Sequence, residues 1–215
     1  MRQKSAVDND HSGRNSRAPG RPRSEQARLA ILGSTLKILG RHGFSDLTIE
    51  DVAAHAGVGK ATVYRWWPNK AALIADAFAS STTRALHFPD TGSVCSDMSQ
   101  QMRQLVKIFR SRRGRIVSAI LGGGQSDGDL IAAFRERFLF PRRLEAYATL
   151  RRGIRRGELR KDVDMDLLLD SLYGPIYMRF LIRHARLTPD FIDRLCELVL
   201  GGARPRRKLR GRRSH

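Results

Sequence analysis

The stretch Thr48–Lys70, TIEDVAAHAGVGKATVYRWWPNK, constrains the fold of this chain more than any other part of it. Thr48 followed by Asp51 fits a capping box, in which a side-chain oxygen meets the free N–H groups of a helix's first turn. Gly57 stands where a helix ends in a left-handed residue, a backbone state that glycine adopts without steric cost. Between them, apolar residues recur at helical spacing and predict one buried face. These residues are Ile49, Val52, Ala53 and Ala56.

A second short helix is predicted from Gly59 to Trp67, because Pro68 restricts the residue before it. Val63 returns a branched side chain to the crossing of the two helices. Cations, hydroxyls and a flat indole occupy the outward positions, and they suit phosphates and base edges better than a core. These outward residues are Lys60, Ala61, Thr62, Tyr64, Arg65 and Trp66. The pattern predicts a helix-turn-helix whose second helix can enter a major groove, and the plainer alternative is an αα-hairpin with solvated charges.

Helices on both sides of this hairpin complete a small helical unit. A first helix is predicted over residues 24–42, where Ser24 is placed to cap its start. A further helix over residues 69–86 begins at Asn69. Lys70 lies in the first turn of that helix, where a cation is unfavourable to the helix dipole. A bound phosphate would offset that cost, so Lys70 is a candidate DNA contact.

Taken in order, these residues resemble the DNA-binding domain of TetR-type bacterial transcriptional regulators, over about residues 24–84. The residues that carry the resemblance are Thr48, Ala53, Ala56-Gly57-Val58, Thr62-Val63-Tyr64, Trp67 and Asn69-Lys70. The positions for which it implies phosphate contacts are Thr48, Tyr64 and Lys70. The positions that it implies near the bases are Lys60, Ala61, Thr62 and Trp66. It also implies that Trp67 packs the domain core, and Trp66 departs from the histidine of many members.

The two ends of the chain are strongly basic, within a formal net charge of +19 over 215 residues. A charge of this sign suits nucleic acid, and an anionic membrane surface equally. Residues 1–23 are predicted to be a disordered arm and residues 204–215 a disordered tail. Arg21 and Arg23 of the arm are candidates for entering a narrow minor groove, since Gly20-Arg21-Pro22 resembles an AT-hook. The alternative is a solvated leader that binds nothing specifically.

Several other classes of protein find no support in the sequence. Cys95 and Cys196 form no CxxC pair, so neither a disulfide framework nor a zinc site is indicated. No apolar run is long enough to cross a bilayer, and no apolar segment follows the N-terminal cations, so we expect a cytoplasmic chain with no membrane partner. The histidines are scattered and no catalytic spacing stands out, so we expect neither an enzyme nor a cofactor nor a metal.

The rest of the chain reads as a second helical domain over residues 87–203, for ligand binding and dimerisation, after a DNA-binding domain over residues 24–86. A long helix over residues 129–159 contains Pro141, which should kink it. Kinked helices leave gaps in a bundle, and aromatic-lined gaps can take a ligand; otherwise the rings simply fill the core. The candidate pocket residues are Phe109, Phe134, Phe138, Tyr147, Tyr173 and Tyr177.

Two amphipathic helices close the chain, a pattern that commonly buries its apolar stripes against a twofold copy. The TetR resemblance implies the same four-helix interface, and packing within one subunit is the alternative. The candidate interface residues are Leu168, Leu172, Ile176, Phe180, Phe191, Leu195, Leu198 and Val199.

The sequence thus predicts an all-α, homodimeric regulator of transcription that binds a double-stranded DNA operator. An unknown small-molecule effector would release it from that operator, and repression rather than activation comes from the resemblance alone. The alternative is an architectural protein that binds DNA without sequence preference through its basic ends. Such a protein would show a steep salt dependence and no ligand effect.

Overall fold

The computed structural model describes residues 24–205, and this part of the chain is all-α, as predicted. The arm over residues 1–23, with Arg21 and Arg23, lies outside the described residues, as does the tail from residue 206 onward. The first helices are α1 (Glu25–His42), α2 (Ile49–Ala56), α3 (Lys60–Tyr64) and α4 (Lys70–Thr82), followed by a 3-10 turn (Thr83–Ala85). The later helices are α5 (Val94–Arg110), α6 (Arg112–Gly123), α7 (Gly128–Phe134), α8 (Phe140–Arg155), α9 (Met165–Ile182) and α10 (Pro189–Gly202).

Local side-chain caps set where several of these helices begin. Ser24 accepts a hydrogen bond from the first turn of α1, Asn69 from that of α4, and Thr188 from that of α10. Each cap satisfies a backbone N–H that has no partner within its own helix. The helix starts predicted at Ser24 and Asn69 are therefore confirmed.

The long helix predicted over residues 129–159 is interrupted. Between α7 and α8 a single π-helix, Arg135–Leu139, widens the backbone, and the N–H of Phe140 donates to the carbonyl oxygen of Arg135. Pro141 has no backbone N–H and its ring crowds the preceding turn. The predicted irregularity at Pro141 therefore takes the form of a π-helix just before it, a widening that often marks functional positions.

One continuous apolar core joins the first four helices to the later ones. Phe78 of α4 is fully buried, and its ring centroid lies 6.0 Å from that of Phe134 and 4.8 Å from that of Phe138. At the end of α6, a side chain added at Gly123 would come within 3.0 Å of the Phe44 ring, beside the start of the hairpin. The first four helices and the later helices are therefore packed against each other around Phe78 and Phe44. Within residues 24–205 no helix has the length and apolar character needed to span a bilayer.

Candidate nucleic-acid interface

The start and end of α2 have the geometry that the sequence predicts. The Thr48 hydroxyl accepts the N–H of Asp51 at 3.1 Å and donates to the Asp51 carboxylate at 2.5 Å. Gly57 adopts the left-handed conformation, with φ 67° and ψ 34°, and its N–H caps α2. Because other residues are strained there, the glycine fixes the turn that directs the chain into α3.

The second helix of the hairpin is shorter than predicted, since α3 covers only Lys60–Tyr64. The helical turn nevertheless continues, because the N–H of Trp67 donates to the carbonyl oxygen of Val63 at 3.1 Å. Val63 and Trp67 are buried, whereas Tyr64 exposes 48% of its surface. The buried residues anchor the helix, and its opposite side faces solvent.

Most of the residues predicted to contact DNA lie at the surface of this hairpin. The exposed ones are Thr48, Lys60, Ala61, Tyr64 and Arg65, and the half-buried ones are Thr62, Trp66 and Lys70. Lys70 donates to the backbone carbonyl of Phe44 at 3.1 Å, so part of its ammonium group already has a protein partner.

Lys60 at the start of α3 pairs with Glu50 of α2. The hydrogen bond between them raises the pKa of Lys60 and lowers the pKa of Glu50. Both side chains are more than half exposed, so water and salt screen the pair. A DNA phosphate could therefore compete with Glu50 for the Lys60 ammonium.

Trp66 is less available than the outward position assigned to it from the sequence. Its side chain is half-buried and packs against the core, with its ring centroid 6.1 Å from that of Trp67. The Arg28 guanidinium lies 5.8 Å from the Trp66 ring centroid. Arg28 is half-buried and lies one turn before Ile31 and Leu32 on the buried face of α1. The sequence analysis did not identify it as a neighbour of α3.

A cavity of about 60 Å³ lies between α5, α8 and α9, close to the end of α4. Of the predicted pocket residues, Phe138, Tyr173 and Tyr177 line it. The Tyr173 hydroxyl donates to Gln101 Oε1 at 2.5 Å. Burial raises the pKa of Tyr173 and raises that of Tyr177 to about 12, so both phenols stay neutral donors at physiological pH.

Two arginines also line this cavity, and the sequence analysis did not identify them. Arg142 donates to the backbone carbonyl of Leu86 at 2.8 Å and also to Glu145. Arg143 donates to two carboxylates of α9. On an amphipathic helix such arginines look merely solvated, so only the tertiary structure reveals that they border a cavity.

Three of the predicted pocket residues lie elsewhere. Phe109 stacks on Phe180, with ring centroids 4.0 Å apart, beside a different groove. Phe134 is buried against Phe78 in the core between the two halves. The hydroxyl of Tyr147 bonds the Asp166 carboxylate. The assignment of these three rings to the cavity is corrected, because ring type alone does not show which interior gap a ring fills.

The structure divides the predicted dimer stripe into buried and exposed residues. Four of the predicted interface residues are buried within the chain and expose at most 8% of their surface, namely Leu168, Leu172, Ile176 and Leu195. Phe180, Phe191 and Val199 are half-buried, and Leu198 is 76% exposed. The other side of α9 carries further exposed apolar residues outside the predicted stripe, which are Leu167, Met178, Leu181 and Ile182. Because apolar residues surround nearly all of α9, its sequence pattern did not distinguish the two sides.

A capped helix, a left-handed glycine turn and an anchored short helix with an exposed polar side define a helix-turn-helix DNA-binding protein. The family described as "Bacterial regulatory proteins, tetR family" matches residues 31–77. The family described as "Tetracyclin repressor-like, C-terminal domain" matches residues 88–199. The chain belongs to the TetR family of DNA-binding transcriptional regulators.

Relatives along most of the chain agree with this assignment. A HTH-type transcriptional regulator of Bacillus subtilis, YdeS, is 40% identical over 173 residues, covering 80% of this chain and 87% of that protein. The DNA-binding transcriptional repressor TetR of Mycobacteroides abscessus is 30% identical and covers 83% of this chain and 94% of that protein. Among solved structures, the TetR family transcription regulator SCO0332 matches with a TM-score of 0.72 and 36% identity, over 84% of this chain and 100% of that one.

Proposed function

We propose that two copies of this chain bind a near-palindromic operator in the cytoplasm, repress transcription there, and leave the operator when a small molecule fills the cavity. The observation that carries this proposal is the exposed side of α3, which presents Lys60 and Tyr64 while Val63 and Trp67 hold it to the core. Two such helices spaced by about 34–36 Å would enter successive major grooves.

The exposed apolar side of α9, together with Leu198 of α10, supports the dimer. Met178, Leu181 and Ile182 each expose about half or more of their surface at the end of α9. Contiguous exposed apolar residues of this kind mark interaction surfaces in water. A twofold copy burying them would form a four-helix interface and set the spacing of the two recognition helices.

The cavity lining favours an uncharged effector. The guanidinium groups of Arg142 and Arg143 already bond protein carbonyl and carboxylate oxygens, so neither offers an unpaired cation to an anion. The remaining lining is mostly aliphatic and aromatic, with Tyr173 and Gln101 as a hydrogen-bonding pair. A compact, mostly apolar molecule with one hydrogen-bonding group fits this chemistry. The cavity of about 60 Å³ is well below the roughly 150 Å³ of a cavity that binds benzene, so its walls must move to admit a ring.

Selection of DNA from a random pool, followed by binding measurements at two salt concentrations, tests the proposal. We expect one near-palindromic sequence to be enriched and to bind far more tightly than random DNA at both salt concentrations. Equal affinity for selected and random DNA, lost steeply with salt, would instead support the architectural alternative. Deletion of residues 1–23 then measures what the arm adds, since phosphate contacts by its arginines would steepen the salt slope.

The effector chemistry is tested by thermal unfolding with single-ring probes. We expect phenol to raise the unfolding temperature and benzoate, of similar size but anionic, to raise it less. Tyr173→Phe, which removes one hydroxyl from the cavity wall, should reduce the effect of phenol. A larger effect of benzoate would show that an arginine exchanges its protein partner for a ligand, and would overturn the uncharged class.

A further inference from the structure

Asp76 of α4 gathers side chains from three separate parts of the molecule. Its Oδ2 accepts a hydrogen bond from the indole N–H of Trp67 at 2.9 Å and from Arg28 at 3.4 Å. A guanidinium nitrogen of Arg137 lies 3.8 Å from its Oδ1. The side chain of Asp76 is 23% exposed, so these contacts are partly shielded from water.

Toward the helix-turn-helix, Asp76 contacts the residues that follow α3. Trp67 is 1% exposed and its backbone continues the last turn of α3. Arg28 bonds the same carboxylate oxygen and also lies over the ring of Trp66. One carboxylate therefore fixes the indole of Trp67 and, through Arg28, the position of its neighbour.

On the cavity side, Asp76 meets the π-helix. Arg137 lies within Arg135–Leu139, and the next residue, Phe138, lines the cavity. Phe138 also packs edge-on against Phe78, which lies two residues after Asp76 on α4. A π-helix has a wider and less regular backbone than an α-helix and is frequently found at functional sites. Phe138 thus borders the cavity, while the residue before it in the same π-helix contacts Asp76.

We propose that Asp76 positions α3 and the residues that follow it, through its contacts with Trp67 and Arg28, and that the Arg137–Asp76 contact changes when the cavity is filled. This inference rests on the proposed control of DNA binding by the cavity. Filling the cavity displaces the π-helix, changes the Arg137–Asp76 contact and shifts the segment that follows α3. Spatial contact alone does not establish such coupling. The test therefore measures whether the effect of filling the cavity on operator affinity depends on Arg137.

The test needs no identified ligand, because a larger side chain can occupy the cavity. Ala146 lines it and is buried, so Ala146→Leu fills it from α8, and Leu105→Phe fills it from α5 as a second variant. Each is combined with Arg137→Gln, which removes the cation from a partly exposed side chain. Arg135→Gln is the matched control, since Arg135 is an exposed arginine in the same π-helix.

Two readouts follow each full-length variant, with circular dichroism to confirm the fold. The first is affinity for the operator selected from the random pool. The second is tryptophan emission without DNA, since Trp66 and Trp67 are the two tryptophans of the chain. We expect each filling variant to weaken operator binding by about tenfold and to shift the emission. In the Arg137→Gln background, filling the cavity should reduce operator affinity by less than about threefold. In the Arg135→Gln background, the same filling should still reduce it by about tenfold.

The outcomes separate this inference from the proposed function. If neither filling variant changes operator affinity, the cavity does not control DNA binding, and both this inference and the effector part of the proposed function are overturned, while operator binding itself stands. If both filling variants weaken operator binding equally with and without Arg137, the cavity controls DNA binding by another route. In that case only the proposed role of Arg137 and Asp76 is overturned. Asp76→Asn keeps an acceptor for the Trp67 indole but loses the charge that faces Arg28 and Arg137, so it should abolish the coupling while changing the tryptophan emission less than Asp76→Ala does. Asp76→Ala should change both.

Discussion

Lys70 donates to the backbone carbonyl of Phe44 at 3.1 Å, and its ammonium nitrogen lies 4.3 Å from the centroid of the Phe44 ring. This relationship ties the first turn of α4 to the segment that precedes the helix-turn-helix. A lysine predicted to bind a phosphate is therefore also a structural contact. The two contacts with Phe44 explain how the Lys70 ammonium is tolerated in the first turn of α4, where the helix dipole opposes a cation.

Lys70→Met tests this double role, because methionine keeps the apolar stem and loses the ammonium. We expect the free energy of unfolding to fall by about 1 kcal/mol, from the lost hydrogen bond and cation–π contact. Operator affinity should fall as well. Urea unfolding curves measure the first effect, and a loss of affinity at unchanged stability would show that Lys70 serves the phosphate alone.

Tyr64 is expected to serve DNA binding and not the core. Tyr64→Phe should weaken operator binding by roughly tenfold, because a hydrogen bond to a charged group is worth about 1.5 kcal/mol. Thermal unfolding should be unchanged, since the side chain is exposed. The neighbouring Val63→Ala is the control, and it should cost about 2 kcal/mol of stability because Val63 is fully buried.

Substitutions at Lys60 and at Glu50 should change the affinity for DNA in opposite directions. Lys60→Ala should weaken binding to the selected operator more than to random DNA, since Lys60 is predicted near the bases, and it should lower the salt slope, since a cation at the DNA surface is lost. Glu50→Gln should strengthen binding, because it releases Lys60 from its ion pair. Fluorescence anisotropy over a salt series measures both variants. An unaltered slope in Lys60→Ala would remove Lys60 from the DNA contacts.

The proposed dimer surface is tested by exchanging apolar for charged residues. Leu198→Glu and Ile182→Glu place a carboxylate on exposed apolar positions, so we expect sedimentation to show monomers that keep their helical content. Leu172→Ala is the control at a position that the sequence assigned to the interface. It should remain dimeric and lose about 2–5 kcal/mol of stability, because Leu172 is buried in its own subunit. Monomers from Leu172→Ala alone would restore the original assignment.

Burial of Cys196 makes the fold sensitive to alkali. Burial raises the pKa of its thiol to about 12, whereas an unfolded cysteine ionises near about 8.5. The folded state therefore holds the proton longer, and stability falls as pH rises from about 8.5 toward 12, by up to about 1.4 kcal/mol per pH unit. Cys196→Ala should flatten this slope in urea titrations at pH 8, 9 and 10. An unchanged slope would assign the effect to other groups, such as Cys95, whose pKa is also raised by burial.

The helix-turn-helix was predictable because its determinants are local. The cap at Thr48, the left-handed glycine at Gly57 and the apolar spacing between them act within a few residues of the chain. Backbone sterics and hydrogen bonding then decide the structure wherever the rest of the protein lies. The cavity was predicted only in part, since Phe138 lines it and Phe134, four residues earlier, does not.

The sequence by itself determined the all-α architecture, the hairpin and its polar side. The spacing of apolar residues and the capping of helix ends depend only on residues close together in the chain. Tertiary structure decided which side of α9 is buried, because a helix that is apolar nearly all round has no local pattern to orient it. It also decided that Asp76 meets Trp67, Arg28 and Arg137. Those partners lie far apart along the chain, and only the packing of four separate elements brings them to one carboxylate.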